Sequence, residues 1–224
     1  MNEQHSAPLS GAELPKRHPK TGPRRNESAR VAVLRAADDL LVDVGFHAMT
    51  VSAIAERADV AKQTIYRWWR SKVDILLDVL EEDLRAGASW PSQAESAAAV
   101  LEQHVTHLSH VFTRSSTGHV LFALIGHALQ DPATAAPLRG RVLARQAQND
   151  RARLTDAFAS APVPALSRHD ADQLLDLAVG PVFYRPFTTG QPMDPRFVRR
   201  LAAALADRPG SPRADARPVP RPSH

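Results

Sequence analysis

Between Glu27 and Ala206, apolar side chains return every third and fourth residue, and Pro, Gly or Asp interrupts them at short intervals. An α-helix, with its 3.6-residue turn, gathers that spacing onto one face. In the first stretch Leu34, Ala37, Leu41 and Val44 follow this rule, and Gly45 comes next as a natural stop. Helix is therefore expected from about Glu27 to Val44. Thr50 can cap a short helix, Val51 to Ala58, with Val51, Ile54 and Ala55 inward. A turn at Asp59, Val60 and Ala61 leads into a second short helix, Lys62 to about Trp68, and Ser71 can cap a longer one through Val73, Leu76, Leu77, Leu80 and Leu84. Further helices are expected over Ala94 to Ser115, Gly118 to Leu129, Ala135 to Phe158, Asp170 to Phe187 and Asp194 to Ala206. No run alternates with a period of two for long enough to make a strand. The fold class is all-α, and with aromatics at only 5% its core must be built from Ala, Leu and Val.

The ends differ in kind. Residues 1–25 hold Pro8, Pro15, Pro19 and Pro23 among few apolar side chains, too few to offset the entropy of ordering. They are expected to form a disordered arm. From Lys16 to Arg30 the chain is basic, since Lys16, Arg17, Lys20, Arg24, Arg25 and Arg30 face a single acid, Glu27. Residues 208–224, rich in Pro and Arg, form a second expected tail. Of the 224 residues this leaves a small unit, 26–71, and a larger helical one, 72–207. The absence of Cys excludes a disulfide scaffold, a thiolate zinc site and a cysteine nucleophile, and suits a reducing cytosol. No run approaches the roughly 20 apolar residues of a spanning helix, so no membrane partner is expected and the location is cytoplasmic, with nucleoid association.

The net charge of +4 suits a polyanion only if the cations are well placed. The two short helices and their tight turn have the length of a helix-turn-helix, whose second helix can enter a major groove. Lys62, Gln63 and Thr64 occupy its first turn, where side chains reach base edges; Lys can donate to guanine, and Gln can pair with adenine through two bonds. Thr50, Tyr66, Arg67 and Lys72 carry donors suited to phosphate oxygens, and Arg24 and Arg25 could run along the backbone or into the minor groove. Any three-helix packing also leaves polar residues on its exposed helix, so spacing alone does not decide the matter.

Gly45, Phe46, Thr50, Val51, Ile54, Ala55, Ala58, Val60, Thr64, Ile65, Tyr66, Lys72 and Leu76 resemble the helix-turn-helix pattern of the TetR family of bacterial repressors, and the run TIYRWWRSK, Thr64 to Lys72, is a close match. The resemblance implies a three-helix DNA-binding domain, a connecting helix, and a larger helical domain for ligand binding and dimerisation. Two positions depart from it. Asp59 stands where the family usually has Gly, and Asp tolerates the left-handed conformation better than most residues. Ala61 stands where Ser or Thr usually caps the recognition helix, and it cannot accept a bond from the free amides. A weaker resemblance, through Gly180, Pro181, Tyr184, Arg185, Gly190, Pro192, Asp194, Phe197 and Val198, points to the closing motif of one TetR C-terminal subfamily. It implies a dimer interface, expected at Leu174, Leu177, Ala178, Pro181, Tyr184, Phe197 and Leu201. Two-fold pairing would present two recognition helices to grooves one turn apart.

Other clusters carry less. His104, His107 and His110 step by three residues, so the outer two diverge by about 120° on a helix and cannot share an ion. No metal and no cofactor is expected. The acidic run Glu81, Glu82 and Asp83 reads as a solvated face, because consecutive helical residues point about 100° apart. No nucleophile elbow or phosphate-cradling Gly-rich loop is present, so no enzyme is expected. Trp90, His107, Phe112, Phe122 and Phe158 are candidates for lining an apolar ligand pocket between helices.

The expected function is that of a homodimeric, TetR-like regulator on an inverted-repeat operator of double-stranded DNA, a repressor released by a small-molecule effector. The alternatives are an activator or co-regulator with the same fold, or a small-molecule-binding protein whose DNA-binding end is vestigial.

Overall fold

A computed structural model describes residues 23–86, 95–160 and 165–207, all helices and their connections, with no strand among them. Ten helices follow in order. They are α1 (Pro23–Ala48), α2 (Val51–Arg57), α3 (Lys62–Tyr66), α4 (Lys72–Ala86), α5 (Ala97–Arg114), α6 (Ser116–Ala128), α7 (Pro132–Pro137), α8 (Ala144–Ser160), α9 (Arg168–Tyr184) and α10 (Pro195–Ala206). The expected arm 1–25 and tail 208–224 lie outside the described residues, except that helix already begins at Pro23. Proline suits that position, since the first amide of a helix has no partner in any case.

Gly45 has φ of +76°, which breaks α1 near its end and turns Phe46 toward the next elements. Val44, expected on the inward face, is consequently left 49% exposed, while Val33, Leu34, Ala37, Leu40 and Leu41 fill the core. Thr50 caps α2 as expected, its hydroxyl oxygen accepting from the Ala53 amide at 3.1 Å. At the head of α4 the caps are reciprocal. Ser71 Oγ accepts from the Asp74 amide at 3.2 Å, and the Asp74 carboxylate accepts from the Ser71 amide at 3.1 Å.

Helix α4 is buried on several sides because it packs on α1, on α6 and on the segment after α7. Its Ile75, Leu76, Leu77, Val79 and Leu80 join one core with α1, α2, α3 and α6. A second core is made by α5, α8, α9 and α10, centred on Leu101, Val105, Leu154, Leu174 and Ala178. The single helix expected over Ala135 to Phe158 is instead three pieces, with a π-turned segment, Leu138–Leu143, between α7 and α8. Pro137 supplies the reason: it has no amide to donate and crowds the preceding turn, which a wider turn relieves. The same device ends α9 early, where Arg185–Thr189, holding Pro186, is π-turned and closes at Gly190 with φ of +67°.

Candidate nucleic-acid interface and ligand cavity

Helices α2 and α3 meet at a turn in which Asp59 has φ of +52°, the left-handed conformation expected of it. The Val60 amide donates to Ala55 O at 3.0 Å, which fixes the angle between the helices. Ile65 is fully buried under α3 and anchors it. The opposite side of α3 therefore faces outward, with Lys62, Gln63, Tyr66 and Arg67 exposed and Thr64 half-buried. Helix α3 stops at Tyr66, two residues short of the expected Trp68, and Ala61 provides no side-chain cap. Thr50 is exposed beside it, and because its oxygen serves as acceptor, its hydroxyl proton can still be donated outward. Trp69, 4% exposed, ties this unit to α4 by donating from Nε1 to Asp78 at 2.9 Å.

Lys72 has partners within the chain that its sequence position did not reveal. Its ammonium donates to Phe46 O at 2.5 Å and Met49 O at 3.0 Å and sits 4.3 Å from the centre of the Phe46 ring. It closes the carbonyl end of α1, and burial lowers its pKa below that of an ordinary lysine. Arg24 and Arg25 lie in the first turn of α1, and Trp90 lies outside the described residues.

Between α4, α5, α6, α8 and α9 lies a cavity of about 600 Å³. Leu108, Val111, Phe112, Leu121, Val179 and Phe183 make most of its wall, and Asp83, His107, Thr117, Gln146 and Asp150 bring polar groups to it. Of the expected pocket residues, His107 and Phe112 line it. Phe122 does not; its ring stacks behind the wall on Phe187 at 3.9 Å and Phe183 at 5.6 Å. Phe158 is 3% exposed and belongs to the second core. The three histidines separate as helix geometry requires, with His104 buried while His107 and His110 face the cavity.

The acidic run on α4 is a further correction, since it is no solvated face. Steps of about 100° send each carboxylate to a different neighbour. Glu81 binds Arg141 and Arg145, Glu82 receives Arg30 at 3.3 Å, and Asp83 turns to the cavity, where the Thr117 hydroxyl donates to it at 3.1 Å. Burial is the main cause that raises the pKa of Asp83, with Asp38 and Glu82 adding to it and Thr117 opposing. Burial also raises Asp150, against the Gln146 amide and the nearby Arg153. His107 is lowered by burial, then by Arg153 and His110, and stays neutral at pH 7. Asp83 was read from sequence only as part of a solvated run, and Asp150, Gln146 and Thr117 were not singled out at all, because their shared cavity joins residues far apart in the chain.

The C-terminal helices expose a different surface. Leu177, Tyr184 and Phe187 stand 39%, 59% and 55% exposed, while Pro181, Phe197 and Leu201 are half-buried. Leu174 and Ala178, expected at a dimer interface, are instead buried in this chain's own second core. Arg185 holds the corner, donating to Pro192 O at 3.1 Å and lying 3.9 Å over the Phe197 ring.

Two family patterns match the chain. Residues 33–79 match the bacterial regulatory proteins of the tetR family, and residues 91–205 match the tetracyclin repressor-like C-terminal domain. An uncharacterized HTH-type transcriptional regulator of Bacillus subtilis (strain 168), YdeS, is 33% identical over 81% of this chain and 90% of its own length. The chain belongs to the TetR family. The crystal structure of the TetR family transcription regulator SCO0332 is 29% identical, with a TM-score of 0.65 over 80% of this chain and 97% of that one. The putative regulator SCO7518 from Streptomyces coelicolor A3(2) shares the fold at 16% identity, with a TM-score of 0.61 over 81% and 99% of the two chains. As a TetR-family protein this chain is a DNA-binding transcriptional regulator of double-stranded DNA and not an enzyme. Among the described residues no helix is long and apolar enough to cross a membrane.

Proposed function

We propose that this TetR-family regulator is a homodimeric repressor of an inverted-repeat operator, released when a small molecule enters the cavity between α4, α5, α6, α8 and α9. The observation that carries the reading is the outward face of α3, where Lys62 and Gln63 stand exposed opposite the buried Ile65. Lys62, Gln63 and Thr64 read bases, and Thr50, Tyr66 and Arg67 hold phosphates, with Arg24 and Arg25 reaching the backbone from the start of α1. The DNA-binding unit spans residues 26–71, extended back to Pro23, and the ligand and dimerisation unit spans 72–207. Pairing of two chains is supported by the apolar patch of Leu177, Tyr184 and Phe187, with Pro181, Phe197 and Leu201 at its edge, since an exposed apolar patch marks an interaction surface. Release is supported by the position of the cavity against α4 and α6, both of which pack on α1. A ligand can shift operator binding only by its differential affinity for the two dimer geometries.

Selection from a random DNA pool with the ligand-free protein tests this reading, beside a Lys62→Ala, Gln63→Ala variant at two salt concentrations. The expected result is an enriched inverted repeat that weakens in the variant and loses affinity steeply with salt. Failure to enrich any sequence at either salt would overturn operator binding by the free protein.

A further inference from the structure

We propose that the cavity takes a lipophilic organic cation, a protonated amine or quaternary ammonium on an apolar body, with Asp83 as its counter-ion. The inference rests on the reading of this cavity as the effector site and names the class of effector. Among the described residues lining the cavity there is no Lys or Arg, so an anionic head group has no guanidinium or lysine ammonium to pair with on the wall. Asp83 instead brings a half-buried carboxylate whose hydrogen bond comes from the neutral hydroxyl of Thr117 at 3.1 Å. The charged groups that act on it are Asp38 and Glu82, both acidic, and burial holds its pKa above the usual carboxylate range. Such a group gains most from a cation, because a charge removed from water is stabilised chiefly by an opposite charge. Asp150 differs, since Arg153 lies 3.9 Å behind it and already opposes its charge.

Most of the remaining wall agrees in sign, the exposed His110 at its edge being the exception. His107 is kept neutral by burial and by Arg153, so it adds no positive charge at pH 7. Phe112 and Phe183 line the same space with ring centres 4.8 Å apart, and aromatic faces attract cations. Asp83 also sits where a ligand would be felt by the DNA-binding unit. Its partner Thr117 is in the first turn of α6, next to Ser116, which lies close enough to Asp38 of α1 to favour that carboxylate's charged form. A cation at Asp83 therefore changes the charge balance between the two carboxylates that flank this turn.

The test uses two quasi-spherical ions that differ chiefly in the sign of charge, tetraphenylphosphonium and tetraphenylborate, titrated calorimetrically into the full chain and into Asp83→Asn. The expected result is that the phosphonium binds at least tenfold more tightly than the borate, and that Asp83→Asn cuts this preference to threefold or less. Equal or tighter binding of the borate, or binding of neither ion, overturns the proposal. A preference that survives in Asp83→Asn overturns the assignment of the counter-ion, and the wild-type comparison decides the charge class even if the variant does not fold. Fluorescence anisotropy of labelled operator DNA, read in parallel, separates the two ideas: phosphonium that binds without releasing DNA refutes release by ligand while the class of ligand stands.

Discussion

Replacing Lys72 by Met removes an ammonium and keeps most of the apolar stem. Two of its bonds are short, 2.5 Å to Phe46 O and 3.0 Å to Met49 O, while the third, to His47 O at 3.5 Å, adds little. Hydrogen bonds to charged groups contribute about 1.5–3 kcal/mol each, and a cation over a ring about 0.5–1 kcal/mol at an accessible site. The carbonyls at the end of α1 would be rewetted in the variant, and a lysine in the first turn of α4 opposes that helix's dipole. Together these terms lower the net loss to about 2 kcal/mol. For a chain of this size that corresponds to a fall in Tm of about 4–8 °C, measured by calorimetry at one protein concentration. The same variant separates this structural role from a phosphate contact. A lost phosphate contact lowers the slope of log K against log salt by about 0.9, whereas a residue that closes α1 leaves that slope unaltered. An unchanged Tm together with a slope reduced by about one would refute the reasoning.

Three further outcomes are expected. Ala61→Ser supplies the missing acceptor at the head of α3 and should raise stability by about 1 kcal/mol in denaturant unfolding, because α3 now starts without a side-chain cap. A Cβ at Gly118 would lie 2.5 Å from Phe112 O and 2.8 Å from Val111 O, so Gly118→Ala must open the α5–α6 corner and should cost about 1–3 kcal/mol. Gly126→Ala, which meets nothing within 4 Å in the same helix, should instead stabilise by about 0.5–1 kcal/mol, and thermal melts of the two variants compare them directly. Burial lowers the pKa of His104 from 6.5 to about 3, so between those values the unfolded chain binds a proton that the folded chain refuses. Stability should therefore drop on going from pH 7 to pH 5, by about 2 kcal/mol from this residue. The half-buried Asp83 and the buried Asp150 act in the opposite sense, their contribution complete below 3.8 and lost as pH rises through their raised values. Comparing urea midpoints of the wild type and His104→Leu at both pH values isolates the histidine; an equal pH dependence in the two would refute its role.

Much of the DNA-binding end was legible in the sequence because its determinants are local. The Thr50 cap, the left-handed Asp59, the missing cap at Ala61 and the inward Ile54 depend on residues within a few positions of one another, and each is found where the pattern placed it. The cavity was less legible. Periodicity marks the apolar side of a helix but not which neighbour that side meets, so Phe122 and Phe158 were indistinguishable from Phe112 until α5, α6 and α9 were brought together.

By itself, the sequence determined the helical class, the two-helix reading head and its exposed chemistry, since helix period, capping and turn conformation act over short stretches of chain. Only the tertiary structure decided that Lys72 closes the carbonyl end of α1, that Leu174 and Ala178 belong to the chain's own core, and that Glu81, Glu82 and Asp83 divide among three neighbours. The role of a charged or apolar side chain depends on what the fold sets opposite it, and those partners lie dozens of residues away in the chain.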